Sequence, residues 1–169
     1  SAAGSAFSAT QSFTVDTTAP TISSATVAAN GTTVTVTWSE NLDQTQAVPG
    51  SAFTVTPNGG AGIAGTASAV SYPAANQTRF TLSSAVQHLD TLVLAYTKPG
   101  SDPMVRDTAL ATGNAAATAS GLGATNNTAN ATPTPPALVS PADTGRVNSA
   151  TPTLSATFAD PDSQDSGKV

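Results

Sequence analysis

The sequence predicts an all-β, immunoglobulin-like Greek-key sandwich of about seven strands, with partial flanking domains. Three observations predict it. Apolar residues alternate with small polar ones in many short runs, and β-branched residues dominate them. Gly, Pro and Asn clusters separate the runs. No segment sustains a helical period with caps at its ends.

Strand A is expected at about 21–29 and strand B at 32–38, joined at Asn30-Gly31. Asn-Gly between two alternating runs is a strong hairpin signal, because a type I′ turn needs positive φ at both central positions. In B, Val34, Val36 and Trp38 point one way, and Thr33, Thr35 and Thr37 the other. Strand C, at 52–56, repeats the pattern with Phe53 and Val55, after Pro49-Gly50. Pro57-Asn58-Gly59-Gly60 turns the chain into strand D, at 64–72, which ends before Pro73. Strand E, at 77–83, carries Phe80 and Leu82, and strand F, at 91–97, carries Leu92, Leu94 and Tyr96 before Pro99-Gly100. Strand G, at 115–124, is built almost wholly of small residues, so it either packs weakly or is held mainly through its backbone. Seven short strands in roughly 110 residues suit a two-sheet sandwich.

The flanks read as parts of neighbours. Residues 1–18 hold one alternating pair, Phe13 and Val15, followed by Asp16-Thr17-Thr18-Ala19-Pro20. They are expected to be the last strand of a preceding immunoglobulin-like repeat and its junction. The complete domain is placed at 19–128. Residues 129–137 lie in a Pro/Thr/Asn stretch without apolar pattern and are expected to be a linker. Residues 138–169 begin a further repeat, with Leu138-Val139 and the alternation Leu154, Ala156, Phe158. TVTVTWSENLD (33–43) and LSATFADPDSQD (154–165) echo one another as an alternating strand, an aromatic end and an acidic turn.

Composition removes several functions. The chain of 169 residues has no Cys, so neither disulfides nor thiol chemistry are available. A net charge of −5 and a pI near 4.3 oppose a nucleic-acid partner, since Arg79, Lys98, Arg106, Arg146 and Lys168 are scattered singly. No stretch has the roughly 20 consecutive apolar residues of a membrane-spanning helix, so membrane insertion is not expected.

The run DTTAP, NGTTVTVTWSENLD, SAFTVT, FTLSSAVQHLDTLVLAYTKP, MVRDTALATGN and NNTA is similar to the Swm-type repeat of bacterial surface proteins over about residues 19–128. That repeat is named for a swimming-motility surface protein. VDTTAP also resembles the junction between bacterial Ig-like repeats of large adhesins, and residues 136–162 resemble the opening of another such repeat. The resemblance implies an extracellular or cell-surface array whose partners are neighbouring repeats of the same chain. It implies no reaction.

Strand polarity then gathers a candidate site. If the chain enters at the top near Pro20, strand B ascends and strand F ascends, so the B–C and F–G loops share that pole. Asp16, Glu40, Asp43, Asp102, Asp107 and Asn114 are thereby placed beside the junction. Clustered carboxylates with Asn suit a hard cation such as Ca²⁺, which takes six to eight oxygens. The expected ligands are Asp16, Glu40 and Asp107, with Asp43 and Asn114 as further candidates. The ordinary alternative is that these are strand-end and turn residues. Asp102 reads as a solvated loop residue. Asp160, Asp162 and Asp165 resemble a Ca²⁺ loop but lack the Gly such loops place sixth, and a polar turn is the plainer reading.

Catalysis is not expected. His88 is the single His and falls in the E–F loop, at the pole opposite the carboxylates, with Asp90 as its acidic neighbour. Glu40 and Asp43 sit on one short loop rather than across a cleft. Trp38 faces inward by parity, which opposes a sugar-stacking role. The expected function is therefore a non-catalytic structural spacer with calcium-stiffened junctions. The alternatives are a glycan- or surface-binding module, or an accessory domain of a secreted hydrolase.

Overall fold

The computed structural model describes residues 15–108, 113–140, 148–151 and 153–162, without the side chain of Phe158. Phe13 and Asp165 lie outside the described residues. Seven strands form one curled sheet: β1 (Ile22–Val27), β2 (Thr33–Trp38), β3 (Phe53–Pro57), β4 (Ile63–Ala64), β5 (Gln77–Thr81), β6 (Leu92–Tyr96) and β7 (Ala119–Asn126). The spatial order is β4-β3-β6-β7-β1-β2-β5. In effect this is a sandwich of two layers, β5-β2-β1 against β4-β3-β6-β7. The layers are stitched where the lower end of β7 pairs in parallel with β1, at Thr26↔Thr125 and Val27↔Asn126.

The alternating residues explain the packing. Val34, Val36 and Trp38 of β2 are buried, as are Phe53 and Val55 of β3 and Leu92, Leu94 and Tyr96 of β6. Trp38 is 2% exposed, and its indole N–H donates to Thr78 Oγ1 at 3.1 Å. Phe53 stacks on Phe80 at 4.7 Å, and Trp38 meets Tyr96 edge-on at 5.6 Å. These are the two arrangements the ring quadrupole favours. Asn30 fixes the β1–β2 turn by accepting from the Thr32 and Thr33 amides; of the pair only Gly31 takes positive φ, +70°, so the turn forms at the expected place but not as the type I′ turn the sequence suggests.

Three boundaries differ from the sequence expectation. The stretch expected to be strand D holds only the short β4, then crosses between layers. Gly65 bridges to Leu82 and Ser71 to Arg79, while Val70 donates to the Val48 carbonyl. A crossing segment cannot keep one ladder partner, so it is not a continuous strand. The last strand begins later, at Ala119, because Ala115 bridges to Arg106 and Thr118 Oγ1 accepts from the Lys98 amide. No residue of β7 is fully buried; Leu122 and Ala124 touch the core, and ladders to β6 and β1 hold the rest.

The expected linker is shorter than 129–137. Strand β8 (Thr134–Ser140) already starts within it and pairs with β9 (Ser155–Ala159) as a separate two-stranded ribbon. Pro135 and Pro136 are tolerated there because such a ribbon is all edge. Both faces of β8 are exposed, which removes the apolar alternation that would have marked it. Val15 is exposed and outside any strand.

Candidate metal centre

The chain enters β1 and leaves β7 at opposite ends of the sandwich, since these two strands run parallel. At the entry end, Thr21 donates to Ser39 Oγ and Ser39 donates back to the Thr21 carbonyl, which ties the junction to the loop after β2. That loop meets the one after β6: Leu42 bridges to Asp107, and Asp43 donates to the Arg106 carbonyl. Tyr96 supports the same loop from below, accepting the Val105 amide on its hydroxyl at 3.2 Å.

Three expected residues come together here. Asp16, Glu40 and Asp107 each place a carboxylate oxygen within 4.8 Å of the others. Asp107 is 3% exposed, Glu40 half-buried and Asp16 exposed. Asp107 Oδ1 accepts the Asn114 amide at 2.7 Å, and Gly113 at φ +59° makes the close turn that delivers it. A Cβ at Gly113 would stand 2.6 Å from the Asp107 carbonyl. Glu40 Oε1 is buried and has no hydrogen-bond partner among the described residues. Burial first, then the charges of Asp107 and Asp16, pushes the Glu40 carboxyl above its ordinary value.

The other two candidates are placed differently. Asn114 presents its amide nitrogen, donating to Asp107 Oδ2 at 2.8 Å and to the Asp16 carbonyl at 3.1 Å. In this arrangement it orients the acidic residues. Asp43 stands outside the group of three. It accepts from the Thr45 hydroxyl at 2.6 Å, the Thr45 amide at 3.0 Å and Gln46 Nε2 at 2.9 Å. The Thr45 hydroxyl bond, helped by Gln46, the Thr45 amide and Arg106, outweighs desolvation and holds its carboxyl below the ordinary value. Asp102 is exposed and pairs with Arg106. In sequence Arg106 is one of several scattered cations; a spacing of four joins side chains by itself only on a helix, so it is the fold of this loop that makes the pair.

The donor set can be tested against Ca²⁺. Ca–O distances are about 2.3–2.6 Å, so oxygens sharing one ion lie no more than about 5.2 Å apart. The three carboxylates satisfy that limit, and the unpartnered Glu40 oxygen is the kind of atom a cation would satisfy. All donors are hard oxygens. The residues fit the ion.

Other sequence candidates fall into structural roles. His88 Nδ1 lies 2.9 Å from the Thr128 carbonyl and not on Asp90. Asp90 accepts from Asn58 Nδ2 and the Gln87 amide. Of the Trp and Tyr residues, Trp38 and Tyr96 are buried, and Tyr72 spends its hydroxyl on the Gln46 carbonyl at 2.7 Å. Burial, with the Asp43 charge second, pushes the Tyr72 phenol up to about 12. Stacking a sugar takes exposed rings, and this side-chain inventory supplies little for it.

Comparison with known proteins agrees with this architecture. Residues 15–101 match the SWM repeat family, described as a "Putative flagellar system-associated repeat". Among solved structures, domains 1–6 of the surface layer protein SbsC align at 18% identity with a TM-score of 0.50, covering 72% of this chain and 15% of that one. The N-terminal part of the bacterial S-layer protein SbsC aligns at 18% identity and 0.48, covering 70% and 26%. At 18% identity the first of these likenesses concerns the fold alone. No curated protein matches the chain.

Proposed function

The chain belongs to the flagellar system-associated repeat family, whose model matches just over half of it, and on that premise we propose that it is a non-catalytic spacer in a bacterial surface or secreted array, stiffened by Ca²⁺ at its entry junction. Opposite entry and exit poles suit a bead strung end to end. The all-β fold shared with surface-layer domains supports an extracellular setting. Neighbouring repeats of the same chain are its partners in this reading.

The observation that carries the calcium reading is the meeting of Asp16, Glu40 and Asp107. They come from the junction, the loop after β2 and the loop after β6. In water three such carboxylates repel one another; a divalent ion would convert that repulsion into a tie across three segments. Extracellular modules bind Ca²⁺ at roughly 0.1–1 mM. Carboxylate oxygens would provide the core of the shell, with Asn114 holding Asp107 and Asp16 in position.

Isothermal calorimetry and thermal unfolding with millimolar CaCl₂ test it. Binding heat and a rise in Tm, both lost on Glu40→Gln, are expected. Absence of heat and shift at about 10-fold above the stated range would remove the ion from the proposal while leaving the spacer reading intact.

A further inference from the structure

The exit pole is also organised by hydrogen bonds, and by different means from the entry pole. Residues 127–131 belong to a stretch without apolar pattern, yet their backbone is engaged in succession. The Asn127 amide donates to the Val27 carbonyl and the Ala129 amide to the Ala29 carbonyl. The Thr128 amide donates to Asn126 Oδ1, and the Thr128 carbonyl meets His88 Nδ1. Asn126 in turn donates to the Gln87 and Asp90 carbonyls. The segment is thus strapped down along the loop between β5 and β6.

The ribbon beyond this strap closes back on it. Asp162, in the acidic turn after β9, is 6% exposed, and its Oδ2 accepts the Ala131 amide at 2.6 Å. Asp160 Oδ1 accepts the Asp162 amide at 2.8 Å and sets the turn. Gln87 Nε2 reaches the Pro161 carbonyl at 3.4 Å. A buried carboxylate is costly unless hydrogen-bonded, and a bond from an amide to an ionised acceptor is among the stronger ones. Asp162 therefore has a physical reason to stay on Ala131.

We propose that the loop between β5 and β6 holds the exit segment through His88 and receives the acidic turn Asp160–Asp162 of the following unit through Gln87, and that this joint is rigid without any metal. The strap and the turn fix the direction in which the chain leaves the sandwich. The two ends then differ: entry rests on clustered like charges, exit on neutral donors meeting the separate buried carboxylates of Asp90 and Asp162. This inference stands apart from the calcium reading.

The test uses the whole chain in the presence of a chelator. Amide exchange at Ala131 is expected to be about tenfold or more slower than in an unstructured peptide. Adding Ca²⁺ leaves that protection unchanged. Asp162→Ala removes it, and Asp162→Asn, which keeps an oxygen acceptor, retains part of it. His88→Ala, on the sandwich side and away from the ribbon, lowers the ¹⁵N heteronuclear NOE of residues 127–131. Amides of β2 and β6 serve as the folding control. Peptide-like exchange at Ala131 in the unaltered chain, protection that appears only with Ca²⁺, or protection that survives Asp162→Ala would each overturn the proposal.

Discussion

Asn114 Nδ2 donates to the backbone carbonyl of Asp16 at 3.1 Å, spanning 98 positions of sequence. One side chain thereby fastens the entering chain to the last loop of the sandwich, and its second N–H holds Asp107 Oδ2. The junction is part of the domain's hydrogen-bonded structure and not a loose lead-in.

Replacing Asn114 with Ala should cost about 1–2 kcal/mol in urea unfolding, because a buried carboxylate oxygen loses a donor. The same variant should weaken Ca²⁺ binding in calorimetry, since Asp16 and Asp107 lose their common brace.

Glu40→Gln should act in opposite directions with and without calcium. In chelator it removes one of three repelling charges. An exposed-to-half-buried charge interaction of about 0.5 kcal/mol corresponds to roughly a 2 °C rise in Tm for a domain of this size. In millimolar Ca²⁺ the variant should lose most of the calcium-dependent increment. Differential scanning calorimetry in both conditions checks this.

The same residue sets a pH dependence. The Glu40 carboxyl titrates above its ordinary value in the folded chain, so its contribution is most favourable below the unfolded pKa and is lost as pH rises through the folded one. Asp43 is the reverse: its lowered carboxyl contributes above the unfolded value, about 3.9, and that contribution is lost as pH falls through the folded pKa. In chelator, Tm should therefore hold or rise on going from about pH 7 toward 5, then fall below about 4. Glu40→Gln should abolish the first feature and keep the second.

Thr78→Val should destabilise the core by about 1–3 kcal/mol although it is nearly isosteric, because the Trp38 indole N–H loses its buried acceptor. Equilibrium denaturation followed by Trp38 fluorescence reads it directly.

Gly65→Ala should cost about 1–3 kcal/mol by overpacking. A Cβ there would stand 2.8 Å from the Gly50 carbonyl carbon and 2.9 Å from the Phe80 ring. The rigid backbone of Gly50 cannot step aside. Thermal unfolding should show a lowered Tm, while Gly59→Ala, with open space around it but positive φ, is strained for backbone reasons alone.

The alternation of Val34, Val36 and Trp38 against Thr33, Thr35 and Thr37 determined by itself which face of β2 is buried, since strand periodicity leaves no other choice. Asn30-Gly31 likewise announced its turn, and counting strand directions placed Glu40 and Asp107 at one end. Alternation does not encode which layer a crossing segment joins, so the stretch after β4 has the pattern of a strand without the ladder of one. It also says nothing where both faces are exposed, which concealed the first half of β8 among its prolines, while Leu138 and Val139 marked its second half. The approach of Asp16, Glu40 and Asp107 to within 4.8 Å of one another was decided only by tertiary structure. Thr45 and Gln46 lie beside Asp43 in sequence and capture it locally, whereas Glu40 finds its neighbours only once the loop after β6 is folded against it.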